Sequence, residues 1–423
     1  MVTLRVMAVL AVICLWTTVA DAQQVIVKAD RYLDVTTGQY EAPAVIVIQD
    51  GQIQQIGGDL STFADAKTIE LPGATLLPGL MDMHTHLCYS IEGDWVHRGV
   101  KEGPADWALR GALHARITLQ AGFTTVRDLG AGGFSDISLA KAIDNDFIMG
   151  PRMFPAGHAL GITGGHVDRT GYAPSLGEQG PEQGTADGVD EVLQATRYQI
   201  KHGAKVIKIS ATAGVLSMEG PVGAQQYSYE EMKTIVEEAQ RHGYRVAAHA
   251  HGSEGILAAV KAGVASIEHG SILTDEIMNE MKTRGTYLVP TSYLVDALDL
   301  DNLPPLIRKK AEHILPLARQ SLEKAIAANV PIAFGTDAAV FPHGDNAREF
   351  AIYVKLGMSP ADAIRTATIH AADLLGIDDR GQLKPDMLAD IVGVYGDPLQ
   401  DIKVLEQIGF VMKGGRVFKN EKP

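Results

Sequence analysis

The chain has almost no cysteine. Only Cys14 and Cys88 occur among 423 residues, which excludes a disulfide framework and a zinc–thiolate cluster, since both need grouped cysteines. Aromatic residues are few at 6%, yet 46% of the chain is hydrophobic and 21% charged, a balance that excludes a disordered or fibrous protein. Basic runs are missing as well. A formal charge of −14 repels phosphate backbones, so no nucleic-acid partner is expected. One apolar run stands alone, MVTLRVMAVLAVICLWTTVADA, with Arg5 ahead of it and Ala20 and Ala22 spaced as A-x-A at its end. From Val6 to Val19 it falls short of the roughly 20 residues that cross a bilayer. It therefore reads as a secretory signal peptide over residues 1–22, cleaved after Ala22. The expectation is export to the periplasm or the extracellular medium, with no membrane attachment after cleavage and Cys88 as the remaining cysteine.

What the chain does have is order in its apolar pattern. Residues 23–75 show short alternating strands broken by Gly and Asp-Gly turns, and residues 385–423 repeat that style, with Gly414 and Gly415 closing a hairpin. The two ends are expected to join in one small β-sandwich. Between them, residues 76–384 alternate short apolar strands with amphipathic segments such as YEEMKTIVEEAQRHG, the pattern of a parallel α/β sheet. Eight such strands are legible, from LLPGLMDMHTH to PIAFGTDAA, and they predict a closed (β/α)8 TIM barrel. The fold class is thus α/β, a barrel carrying a β-sandwich built from both chain ends.

Polar residues cluster at the strand ends. His84 and His86 are two apart on strand 1, so the strand period aims both imidazoles to one side. His249, His269 and Asp337 hold comparable positions on strands 5, 6 and 8, and these are ligand types suited to zinc. Lys208 lies between Ile207 and Ile209 in strand 4, where a bare ammonium carries a heavy desolvation cost. A lysine carbamate formed with carbon dioxide would replace that cation by an anion able to bridge two metals. The alternative is an ion pair, for which strands 3 and 5 offer no carboxylate. From spacing alone, either His249 or His251 could be the strand-5 ligand, because the two residues face the same way.

The motifs MDMHTH, VIKIS, AAHAHG, IEHG and FGTDAA, followed by ATIHAADLLGI and KPDMLADIVGV, resemble the metal-dependent amidohydrolase superfamily. TGGHVD, ATAGVLS and FPHGDNAREF resemble its Xaa-Pro dipeptidase, lysine/arginine carboxypeptidase and ochratoxinase branch. The resemblance implies a binuclear zinc site. His84, His86 and Asp337 would hold one ion, His249 and His269 the other, with N6-carboxylated Lys208 between them. It also implies a hydroxide bridging the two ions, hydrolysis of an amide bond in a dipeptide or N-acyl amino acid, ochratoxin A among the candidates, and a homo-oligomer that could reach an octamer. Asp337 would be the catalytic base and then acid. His251 is assigned to the substrate's scissile carbonyl or carboxylate. His166 is a candidate for a substrate carboxylate, with a loop-ordering hydrogen bond as the rival reading.

Other histidines read as structural. His202 and His242 precede glycines at helix ends, and Ser228 with Glu231 forms a capping box, with Tyr227 and Met232 as its hydrophobic staple. Arg127 and Asp128 read as an internal ion pair supporting the site. A heterocycle deaminase or a lactonase on the same fold is the alternative function, and a non-catalytic barrel protein is the third reading.

Overall fold

The computed structural model describes residues 24–422 apart from Asp94; the segment read as a signal peptide lies outside them. Alternating apolar residues build β1 (Val25–Asp34), β2 (Gln39–Glu41), β3 (Ala44–Gln49), β4 (Gln52–Ile56) and β5 (Lys67–Pro78). The barrel strands follow: β6 (Leu80–Thr85), β7 (Phe123–Asp128), β8 (Arg152–Pro155), β9 (Ile207–Ser210), β10 (Val246–Ala250), β11 (Ser266–His269) and β12 (Tyr287–Val289). The chain then returns to the first unit as β13 (Ile391–Val394), β14 (Phe410–Lys413) and β15 (Arg416–Asn420).

Both chain ends meet in one eight-stranded sheet of order β15-β14-β13-β5-β1-β3-β4, with β2 paired to β1. The period of two divides its side chains between two cores. Leu76, Ile391 and Phe410 join Val27, Ile46 and Ile48 in the small domain's own cluster. Their neighbours Leu77, Val392 and Val411 point the other way and join the barrel cluster. Each fully buried side chain of this kind contributes roughly 1.5–3 kcal/mol, so the same strands hold the small domain together and fasten it to the barrel.

Parallel pairing gives two arcs, β6-β7-β8 and β12-β11-β10-β9. Irregular backbone joins them. Leu160 bonds to the free edge of strand β9 on either side of Ile209, its N–H donating to Lys208 O and its carbonyl accepting from Ser210 N–H, each at 2.8 Å. Residues 331–338 take the eighth position without becoming a regular strand. On one side Ala333 N–H donates to Leu288 O; on the other, Met83 N–H donates to Phe334 O and Asp337 N–H to His84 O. The architecture is a (β/α)8 barrel with a small β domain.

The helix Tyr229–Arg241 shows how local sequence sets an element. Ser228 Oγ accepts the Glu231 N–H while Glu231 Oε2 accepts the Ser228 N–H at 2.7 Å, and Tyr227 and Met232 are buried beside this cap. Met232, Ile235, Val236 and Ala239 then form the buried face, at the spacing an amphipathic helix requires. His84, Ser210, His249 and His269 all lie at or next to the C-terminal ends of their strands, which gathers them at one mouth of the barrel.

Gly79 alone separates β5 from β6, and a Cβ there would overlap the Thr124 hydroxyl and crowd Asp390. Gly79→Ala is expected to destabilise the protein by about 1–3 kcal/mol through overpacking, read as a lower thermal midpoint; an unchanged midpoint would contradict the close approach.

Candidate metal centre

Four histidines at the mouth have one ring nitrogen already engaged. His84 Nδ1 lies 2.9 Å from Glu268 Oε2, His86 Nδ1 3.0 Å from Gly130 O, His251 Nδ1 2.7 Å from Ser271 Oγ and His269 Nδ1 2.8 Å from Thr291 Oγ1. Carboxylate and carbonyl partners accept only, so His84 and His86 carry their proton on Nδ1 and keep the Nε2 lone pair. Both Nε2 atoms lie 3.5 Å from Asp337 Oδ1. His249 Nε2 is buried and has no hydrogen-bond partner among the described residues, a state that costs free energy unless something binds there. Ligand-capable atoms of His249, His251 and His269 fall within 4.8 Å of one another, as do those of His84, His269 and Asp337. The two groups share His269. A converging set of imidazole nitrogens with a carboxylate fits a borderline cation such as zinc.

Electrostatics keeps these rings neutral. Burial pushes the His84, His249 and His269 pKa values well below the usual range. His86 is lowered to about 4 and His251 to about 3, first by burial and then by neighbouring positive groups, Lys208 among them. Neutral imidazole is the form that binds a metal. Lys208 is 5% exposed; burial lowers its amine, while Glu268 and Asp337 pull the other way. Burial raises Asp337, with Lys208 opposing.

The backbone is bent to bring these groups together. His269 and Asp337 sit at φ of 70° and 61°, left-handed values rare outside glycine and concentrated at functional sites. Asp82, two residues before His84, is fully buried and ties β6 to the eighth segment: it accepts from His84 N–H, Thr336 N–H and Oγ1, and Asn346 Nδ2. Its alignment with His84 and His86 at a spacing of two was the signal for it in the sequence.

All the residues singled out from the sequence, His84, His86, Lys208, His249, His269, Asp337, His251 and His166, line one cavity of about 510 Å³. His166 stacks on His249 with ring centroids 4.2 Å apart, and its Nδ1 is also 2.5 Å from Ser217 Oγ, so the loop-ordering bond is present. His202 stacks on Phe134 and His242 Nε2 lies 3.3 Å from Glu238, both away from this cavity.

One pairing differs from the sequence reading. Arg127 pairs with Glu268 across the barrel, Nη2 to Oε1 at 2.8 Å, whereas Asp128 accepts the Leu87 N–H at 2.7 Å. Glu268 was not singled out, and it also supplies the carboxylate facing Lys208 that strands 3 and 5 lack. A carboxylate inside the apolar strand ASIEHG was its only sequence signal. Replacing one member of a buried pair leaves the other charge uncompensated, so Glu268→Gln is expected to cost about 3–5 kcal/mol of stability and about 10–100-fold in affinity for a divalent metal through His84. Thermal unfolding and zinc titration of the variant check both.

The chain matches the profile described as "Amidohydrolase family" over residues 75–418. It is 36% identical over 406 residues to an ochratoxinase of Aspergillus niger, covering 89% of this chain and 83% of that protein. Among solved structures, a Xaa-Pro dipeptidase with bound methionine in its active site superposes with a TM-score of 0.90 at 38% identity, covering 94% of this chain and 100% of the other. The A. niger ochratoxinase structure gives 0.84 at 34% identity, with 94% and 96% covered. The histidine cluster at the barrel mouth and this likeness along nearly the whole chain have one explanation: the protein is a hydrolytic enzyme of the amidohydrolase family.

Proposed function

We propose that the protein is an exported binuclear zinc enzyme that hydrolyses the amide bond of a dipeptide or N-acyl amino acid and releases the C-terminal amino acid. The observation that carries this reading is the convergence of the His84 and His86 Nε2 atoms on Asp337 beside the partnerless His249 Nε2. Relatives named as an ochratoxinase and as a Xaa-Pro dipeptidase with bound methionine support an amide substrate with an amino-acid product. Export rests on the pattern of residues 1–22 alone.

His84, His86 and Asp337 would hold one ion and His249 and His269 the second, with Lys208 as carbamate between them. When bound, such ions polarise a carbonyl and make water nucleophilic at neutral pH. The chain's own groups do the rest. Burial lowers the Lys208 amine and so raises its neutral fraction, the form whose nitrogen lone pair bonds to the carbon of carbon dioxide, losing a proton as the carbamate forms. Burial raises the Asp337 carboxyl, which favours holding a proton taken from the attacking water until the leaving amide nitrogen receives it. His251, anchored through Nδ1 to Ser271, turns its other nitrogen to the substrate carbonyl. The apolar walls around these groups exclude water and strengthen each charge interaction.

The test is release of free amino acid from a panel of dipeptides, N-acyl amino acids and ochratoxin A. Chelator-sensitive release restored by zinc is expected; no release from any member by metal-loaded protein would overturn the reading in favour of deamination or a lactone substrate. Lys208→Ala should lower kcat/KM by about 10³-fold or more, the several kcal/mol that metal activation supplies, and reduce zinc below two per chain. Full activity of that variant would refute the mechanism.

A further inference from the structure

The loop between β9 and the helix Tyr229–Arg241 has neither helix nor regular strand of its own, yet Val215 and Leu216 within it line the cavity. Holding irregular chain in one place costs conformational entropy. Backbone bonds such as Ala213 N–H to Ala224 O close its base, and Lys310 ties its tip to a neighbouring helix. This residue lies in the helix Pro305–Ala327 between the buried side chains of Ile307 and Ile314 and is itself 6% exposed. Its Nζ donates to Gly214 O at 3.1 Å and to Ser217 O at 3.0 Å, and lies 3.9 Å from Glu219 Oε2. An ammonium has three N–H donors and accepts nothing; two of them go to this loop's carbonyls and the charge faces its carboxylate.

The same loop grips His166. Glu219 Oε1 accepts the Gly214 N–H at 2.8 Å and lies 3.4 Å from His166 Nδ1, while Ser217 Oγ is 2.5 Å from that nitrogen. Gly214 leaves no room for a side chain, because a Cβ would overlap the His166 ring. Beyond Lys310, the helix Pro305–Ala327 presents Ile314, Leu315 and Ala318 to the cavity, of which Ile314 and Ala318, four and eight residues on, share a face with position 310. One helix therefore supplies both the anchor and half of an apolar surface. An apolar residue would fill position 310 without the desolvation cost of an ammonium, and only the loop's carbonyls and carboxylate account for a lysine there.

We propose that Lys310 is a positioning residue for substrate specificity: by tying residues 214–219 to the helix Pro305–Ala327, it joins Val215 and Leu216 to Ile314 and Leu315 in one apolar wall that selects amides carrying a bulky apolar side chain. The selectivity part rests on the amidohydrolase reading above; the clamp itself does not.

Two measurements on the zinc-loaded full chain test it. With N-acyl-phenylalanine and N-acylglycine as substrates, Lys310→Met should raise KM for the phenylalanine compound about tenfold, the scale on which apolar pockets discriminate, while kcat for both and KM for the glycine compound stay within about twofold. Lys310→Arg should recover most of the loss. An equal loss on both substrates, or a loss confined to kcat, overturns the proposal. Hydrogen exchange of residues 214–219 needs no turnover: faster exchange there, with β9 and β10 amides unchanged, is expected in Lys310→Met, and unchanged loop exchange refutes the clamp even if neither amide is a substrate. Should Lys310→Met fail to fold, Leu216→Ala reads the wall directly, with the same substrate-selective rise in KM expected and an equal effect on both substrates overturning it.

Discussion

A guanidinium and a carboxylate sealed inside the barrel wall set the terms for everything at its mouth. Arg127 on β7 and Glu268 on β11 are both fully buried, and neither charge is tolerable there without the other. The pair is completed on every side: Arg127 Nε donates to Met83 O, its Nη1 to Ser266 Oγ, and the second oxygen of Glu268 accepts from His84 Nδ1. Three strands are thereby held in register across the barrel. The last of these bonds fixes the His84 proton on Nδ1 and leaves its Nε2 facing Asp337, so an interaction remote from substrate decides the chemical character of the site.

Desolvation does the remaining tuning. The imidazoles are crowded enough that rings stack or meet edge-on, His251 with His269 at 4.9 Å and His249 with His251 at 4.7 Å, and in so dry a place each is driven toward its neutral form. Lys208 adds to that pressure as a cation and is itself driven toward neutrality. Imidazoles placed this way are poor at holding protons and well suited to cations. That is why the partnerless His249 nitrogen reads as a place for a ligand and not as an error of packing.

Around this rigid centre the chain places less regular segments. The eighth barrel position is held by hydrogen bonds to β6 and β12 although its backbone departs from strand geometry, and the loop after β9 takes two hydrogen bonds from one buried lysine. Catalytic precision comes from the strands, and room for substrate comes from the loops, the usual division of labour on this fold.

Much of this was legible in the sequence. Apolar alternation followed by helical periodicity determined the barrel and the β unit, since burial of one face is a local property of the chain. The two-residue spacing of His84 and His86, and a lysine between isoleucines, marked the site because a strand aims such residues inward and a buried charge demands a reason. What the tertiary structure alone decided was partnership. Glu268 meets Arg127 and His84 from strands 141 and 184 residues away in sequence. Strand alternation would send Glu268 and His269 to opposite faces, and only the left-handed turn at His269 brings both to the centre. Lys310 lies on a helix 93 residues beyond the loop it holds. Spacing along a chain encodes which way a side chain points; which distant group it meets is set by closure of the barrel, and no local pattern carries that information.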